Sequence, residues 1–214
     1  MLIIHHLGLS QSERIVWLCE ELDLPYKLVR YDRDPVTSLA PPDFVALHPA
    51  GTAPVIEDGD VVLAESGAII DYIINRHGAG RLAIPPGDPQ YPDYLFWFHF
   101  ANGTLMPSLV AMIVVNLLES NAIDNVVVQA QISRVNRAFM LLDQRLAGVP
   151  YLAGESFSAA DIISLFSLTT LRTLVPLDLS EYPNILRYLQ RVGERPAYLR
   201  AMSKAEPGMT PKLS

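Results

Sequence analysis

Cysteine is almost absent: Cys19 is the single one among 214 residues. One thiol makes no internal disulfide, no Cys-x-x-Cys redox pair and no cysteine-based zinc site. Its scarcity suits a reducing compartment, so the expected location is the cytoplasm. Clustered positive charge is missing too. A net charge of −7, with no Lys/Arg cluster interleaved with aromatics, argues against a nucleic-acid binder. The longest apolar passage, Leu105 to Leu118, is 14 residues long and carries Pro107, Ser108 and Asn116, too short and interrupted to span a bilayer. No basic segment with a long apolar run opens the chain, so a secretory signal is not expected. No His/Asp/Glu grouping has metal-site spacing, and His5 and His6 read as strand packing and surface. What is abundant is hydrophobic side chain, half of all residues, enough for a substantial core in one or two domains.

In the first third of the chain two periodicities alternate. Leu2 to Leu7 reads as a buried strand. Gly8-Leu-Ser10-Gln-Ser12-Glu13-Arg14 turns it into a helix with Ile15, Val16, Leu18, Cys19 and Leu22 inward, stopped at Asp23-Leu-Pro25. Tyr26 to Tyr31 alternates as a second strand, and a strand-helix-strand unit of this length implies parallel pairing. Pro42 to Leu47 reads as a short helix. Two apolar runs, Pro54 to Ile56 and Val61 to Ala64, flank Asp58-Gly59, a tight-turn signal. A helix from Ser66 to about His77 follows, closed by Gly78.

The order βαβαββα is the topology of a thioredoxin-like domain, assigned to residues 1–78. Residues 79–92, rich in proline and glycine, read as a linker. From 93 to 214 the patterns are helical. A long helix is expected from Tyr94 to about Glu119, bent at Pro107, and another from about Asp124 to Leu146. Ser158 and Asp161 form a capping box with Phe157 stapled onto Ile162. Helices to about Leu174, from Pro183 to Glu194 and from Pro196 to about Met202 come next, and the tail from Glu206 is expected to be mobile.

Chemistry concentrates at the end of the hairpin. Ser66 is a candidate helix N-cap, and a helix N-terminus offers free N–H groups and positive potential to a carboxylate. Glu65 beside it can hold an ammonium, so the pair fits a zwitterionic amino-acid end. The plainer alternative, a capping Ser66 and a solvated Glu65, stands beside it.

Ser10 to Glu21, His48 to Pro54, Glu65-Ser66 and Phe157 to Asp161, in this order and spacing, resemble the cytosolic glutathione S-transferase family across essentially the whole chain. The likeness is greatest to its serine-type bacterial and fungal branches. The resemblance implies a first domain that binds glutathione and a helical domain that lines a site for a small hydrophobic electrophile. It implies a homodimer, and no cofactor beyond glutathione as co-substrate. Glu65 and Ser66 would hold the γ-glutamyl end, Pro54 would follow a cis peptide bond, and the Ala53 backbone would pair with the cysteinyl part. His48 and Thr52 depart from the asparagine and lysine usual in relatives. Thr52 is left as a candidate hydroxyl for the glycine carboxylate.

A free thiol of pKa about 8.5 is only a few per cent ionised at neutral pH, so the enzyme's task is to make it a thiolate. Ser10, at a helix N-terminus, is the expected hydroxyl donor, with Ser12 the alternative; Ser10-x-x-Glu13 also reads as a capping box. Phe98, Asn102 and Leu105, at i, i+4 and i+7, are one candidate wall for the electrophile. Cys19 reads as core. Glutathione-dependent peroxide reduction, dehalogenation or isomerisation on the same site, and a non-catalytic glutathione or ligand carrier, are the other readings.

Overall fold

The computed structural model describes residues 1–118, 125–174 and 177–214. Its contacts divide the chain into two compact units, Met1–Ala83 with Val192–Lys212, and Ile84–Arg191 with Leu213–Ser214. The sequence boundaries at 78 and 92 mark chain order; packing also brings a C-terminal segment to the first unit.

In the first unit β1 (Leu2–Leu7), β2 (Tyr26–Tyr31), β3 (Val55–Asp58) and β4 (Val61–Ala64) form one sheet in the order β2-β1-β3-β4. β1 and β2 are parallel, while β3 runs antiparallel to both β1 and β4. Helices α1 (Glu13–Glu21), α2 (Pro42–Val45) and α3 (Ser66–Arg76) complete the expected βαβαββα order. Ile15, Val16, Leu18, Cys19 and Leu22 are all buried, as the helical spacing requires, each contributing on the order of 1–3 kcal/mol of burial. The hairpin turns at Gly59-Asp60, because Asp58 still pairs with Val61, and Gly59 supplies a φ of 62°. Gly78 ends α3 where a side chain has no room: a Cβ there would sit 2.9 Å from the Ile74 carbonyl oxygen.

The last helix of the unit, α10 (Pro196–Ala205), packs on α1. Tyr198 meets Trp17 edge-on at 5.1 Å between ring centroids. Arg195 grips Glu21 with two hydrogen bonds of 2.7 Å. Glu20 accepts from Tyr26, Arg200 and Lys204.

The second unit is helical: α4 (Tyr91–Phe100), α5 (Met106–Leu118), α6 (Val126–Gly148), α7 (Ala159–Leu165), α8 (Leu171–Leu174) and α9 (Pro183–Gly193). The helix ends expected at Glu119 and Asp124 lie outside the described residues. Between α4 and α5 the chain makes a π-helical turn, Ala101–Leu105, in which the Met106 N–H reaches back five residues to Ala101. Pro107 follows at once; it has no N–H for the turn before it, and the widened turn takes up its ring. By length and mean hydropathy, Tyr91–Val114 could cross a membrane, which the sequence reading did not anticipate from the shorter run Leu105 to Leu118. Within it Tyr94, Trp97, Phe98, Phe100, Leu105 and Leu109 are buried.

The capping box at α7 is present in both directions between Ser158 and Asp161. Asp161 does more than cap: Oδ1 also accepts from the Leu152 N–H at 2.9 Å and the Tyr188 hydroxyl at 3.1 Å, tying a loop and α9 to the start of α7.

Candidate functional site

Strand direction decides which residues meet. His5 pairs with Val55, and Val55 pairs with Ala64, so the C-terminal end of β1, the start of β3 and the end of β4 lie along one end of the sheet. Three predicted site segments lie at this end: Gly8 to Ser12 after β1, Ala53-Pro54 before β3, and Glu65-Ser66 after β4; β2, parallel to β1, also ends here, at Tyr31. Leu7, Phe44, Val55 and Ala64 form a buried cluster there, with Ala53 packed against it.

Ser10 and Ser12 are both buried, but not equally. Ser12, fully buried at 0 %, is the N-cap residue of α1, although its side chain makes no capping bond; its Oγ accepts the Leu7 N–H at 3.1 Å and lies 2.8 Å from His6 Nδ1. Ser10 keeps 6 % exposure, and its hydroxyl donates to the Leu7 carbonyl at 2.6 Å and lies 2.6 Å from Ser12 Oγ. The N-terminal cap therefore falls on Ser12, not on Ser10 as the Ser10-x-x-Glu13 pattern suggested; Ser10 Oγ accepts the Ser12 N–H at 3.3 Å.

Two residues that sequence spacing did not single out complete this corner. His6 is fully buried, not a surface residue, and its Nε2 lies 3.1 Å from Glu206 Oε1. Glu206, expected in a mobile tail, is buried, and the same oxygen accepts the Leu9 N–H at 2.6 Å. Leu9 has a φ of 52°, a left-handed conformation uncommon for a bulky residue, and Glu206 helps to hold it. From the other side Arg33 donates to the carbonyls of Gly8 at 2.8 Å and Leu9 at 3.3 Å. Burial draws the Arg33 guanidinium below its ordinary pKa, against the opposing pull of Glu206.

Glu65 is the N-cap of α3, one position before the expected cap Ser66, which is the first residue of the helix. Glu65 is exposed and holds a φ of 72°, so its side chain faces solvent while the Ser66 and Gly67 amides begin the helix. Ser66 is buried, and its Oγ accepts from Arg14 Nη1 at 3.0 Å. The same Arg14 nitrogen donates to Gln11, joining the Ser10 segment to the start of α3. Burial pushes the Arg14 guanidinium down to about 9, with Glu13 opposing, so it stays charged at neutral pH. Arg14 was legible only as a landmark beside the serines; its place between two site segments needed the fold.

The Ala53–Pro54 peptide bond is cis, as the resemblance implies. Thr52 is exposed and Ala53 half-buried. His48 Nδ1 is turned onto its own loop, accepting the Ala50 N–H at 3.1 Å. In the helical unit Phe98 and Leu105 are 4 % and 0 % exposed, core residues whose common face is broken by the π turn between them. Of the three candidate electrophile residues, Asn102 alone keeps partial exposure. Cys19 is buried, and burial followed by the Glu20 charge pushes its thiol up to about 12, so it offers no nucleophile. Among the described residues no group of three His, Cys, Asp or Glu is placed to hold a metal ion.

Comparison with known proteins identifies the family. The family models for the glutathione S-transferase N-terminal and C-terminal domains match residues 10–76 and 105–196. Glutathione S-transferase 3 of Schizosaccharomyces pombe is 31% identical, over 96% of this chain and 88% of its own length. Glutathione S-transferase GstB of Escherichia coli K12 is 30% identical, over 88% of this chain and 90% of its own. A crystal structure of a glutathione S-transferase from Actinobacillus pleuropneumoniae superposes with a TM-score of 0.86 at 32% identity, covering 100% of this chain and 98% of the other. With the site segments gathered at one sheet end and relatives of this identity along nearly its whole length, the chain belongs to the glutathione S-transferase family and is a glutathione-conjugating transferase in kind.

Proposed function

We propose that this chain binds glutathione at the sheet end described above, ionises its thiol with Ser10 and adds the thiolate to small apolar electrophiles. The observation that carries the assignment is the difference between the two serines. Ser12 is closed off and engaged on every side, while Ser10 retains an exposed edge and a hydroxyl proton that can turn from the Leu7 carbonyl. A hydroxyl donor aimed at a sulfur anion beside a helix N-terminus stabilises the thiolate over the thiol, and that is the chemical need.

The rest of the tripeptide has complementary groups in reach of the same edge. The Glu65 carboxylate suits the γ-glutamyl ammonium, and the Ser66 N–H with its hydroxyl suits the α-carboxylate. The Ala53 backbone, held by the cis bond to Pro54, suits the cysteinyl amide, and Thr52 the glycine carboxylate. Asn102 is the candidate contact to the electrophile. By resemblance to the family the protein works in the cytoplasm as a homodimer, with glutathione as co-substrate and no metal or redox cofactor.

Steady-state kinetics with an activated aryl halide test this. Ser10→Ala is expected to lower kcat about 10²-fold with little change in the KM for glutathione, the signature of an interaction made to the developing anion. Unchanged turnover would remove Ser10 from the chemistry.

A further inference from the structure

Four buried side chains form an unbroken line from the first strand to the residue after the last helix. Ser10 Oγ to Ser12 Oγ is 2.6 Å, Ser12 Oγ to His6 Nδ1 is 2.8 Å, and His6 Nε2 to Glu206 Oε1 is 3.1 Å. All four are 0–6 % exposed. Such a line is costly in a protein interior unless its protons are consistently directed, and here they can be counted.

With a neutral imidazole, Nε2–H donates to Glu206, the Ser12 hydroxyl donates to Nδ1, and the Ser10 hydroxyl, which rests on the Leu7 carbonyl, can turn inward to Ser12. With an imidazolium, Nδ1–H donates to Ser12, Ser12 donates to Ser10, and the Ser10 proton is directed outward or to the Leu7 carbonyl. The two states differ by one proton and by the direction of both hydroxyls.

We infer that His6, backed by Glu206, receives the glutathione thiol proton through Ser12 and Ser10. In that step the S–H proton passes to Ser10 Oγ, the Ser10 proton to Ser12 Oγ and the Ser12 proton to His6 Nδ1. The sulfur keeps the bonding electron pair, each serine ends with one proton, and the imidazolium faces the Glu206 carboxylate. The same transfer turns the Ser10 hydroxyl from inward donor to donor toward sulfur, so ionisation and thiolate stabilisation occur together. His6, Ser12 and Glu206 touch no substrate atom and are positioning residues acting through Ser10. Of the other charged groups near this line, Glu13 follows Ser12 with its N–H on the Ser10 carbonyl and Arg14 donates to Gln11 and Ser66, while Arg33 donates to the Gly8 and Leu9 carbonyls and Arg30 to the Ala205 carbonyl at 2.9 Å. None donates to the relay atoms in these contacts.

This inference rests on Ser10 being the activating hydroxyl, and the test separates the two. On the full chain with glutathione, ultraviolet absorbance of the bound thiolate is titrated for wild type, Ser10→Ala, Ser12→Ala, Glu206→Gln and the Ser12→Ala/Glu206→Gln double variant, with Tm and steady-state kinetics beside it. Ser12→Ala and Glu206→Gln should each raise the pKa of the bound glutathione thiol by about one unit, a tenfold change in the thiol–thiolate equilibrium. Each should lower kcat by a similar factor, leave the KM for glutathione within about twofold, and add little to each other in the double variant. A titration in the wild-type place in both single variants, whatever their Tm, would overturn the relay, as would effects that multiply. Should Glu206→Gln not fold, Ser12→Ala alone decides, because it leaves Glu206 on His6 and on the Leu9 N–H. A shift in Ser10→Ala without one in the relay variants removes only the relay; no shift in Ser10→Ala removes the Ser10 assignment itself.

Discussion

At the scale of single residues, the serine pair shows how burial divides labour between two identical groups. Ser12 and Ser10 are two positions apart, and a hydroxyl on either could face a thiolate, but Ser12 is spent on the Leu7 N–H and His6. Arg14 is the other decisive residue, because one buried guanidinium meets both Gln11 and Ser66. Arg14→Ala is expected to cost about 3 kcal/mol of stability and to weaken glutathione binding, and Arg14→Lys to restore little, since an ammonium lacks the planar fork. Chemical denaturation and glutathione titration of the two variants check this; a fully functional lysine variant would mean the fork is not used. The serines, Glu65 and Ser66 were legible in the sequence because each sits where a strand hands over to a helix, a local signal. His6 and Glu206 were not, because their bond joins residues 200 positions apart, and neither has a neighbour in sequence that hints at it.

At the scale of elements, periodicity and capping chemistry located most helices and all four strands, and the errors have local causes. Phe98, Asn102 and Leu105 share a face only in a regular α-helix, and the π turn Ala101–Leu105 ahead of Pro107 takes that regularity away. The hairpin turn moved one residue, to Gly59-Asp60, because the Asp58–Val61 pair keeps the ladder going. The capping box at α7 held because both partners lie within one helical turn. Its further bonds, to Leu152 and Tyr188, make Asp161 the joint of the helical unit. Asp161→Ala should destabilise by about 3 kcal/mol, more than a cap alone, because it strands buried donors on three elements. Denaturant unfolding measures it, and a loss under about 1 kcal/mol, the size of an exposed cap, would contradict this role.

At the scale of the whole molecule, chain order and packing part company: the last helix follows the helical segment in sequence but packs on α1. Glu20 anchors it. Burial alone would raise the Glu20 pKa, but hydrogen bonds from Lys204, Tyr26 and Arg200 outweigh that and hold it below the ordinary carboxylate value. A carboxyl with a depressed folded pKa contributes stability that is fully present above its unfolded value and is lost as pH falls through the folded one. Stability of the wild type should therefore exceed that of Glu20→Gln at neutral pH, by on the order of 1–2 kcal/mol. The gap should close on acidification below about pH 4, as thermal melts across pH will read out; a gap that persists unchanged in acid would contradict the anchor. Because Glu206 directly follows α10, this docking also delivers the carboxylate that meets His6 and the Leu9 N–H.

The most direct test of the central claim is the ultraviolet titration of glutathione thiolate bound to wild type and to Ser10→Ala. A thiol that ionises well below its free value on the wild type, and returns close to that value when the Ser10 hydroxyl is removed, is the predicted result. A bound thiol that titrates alike on both proteins would contradict it.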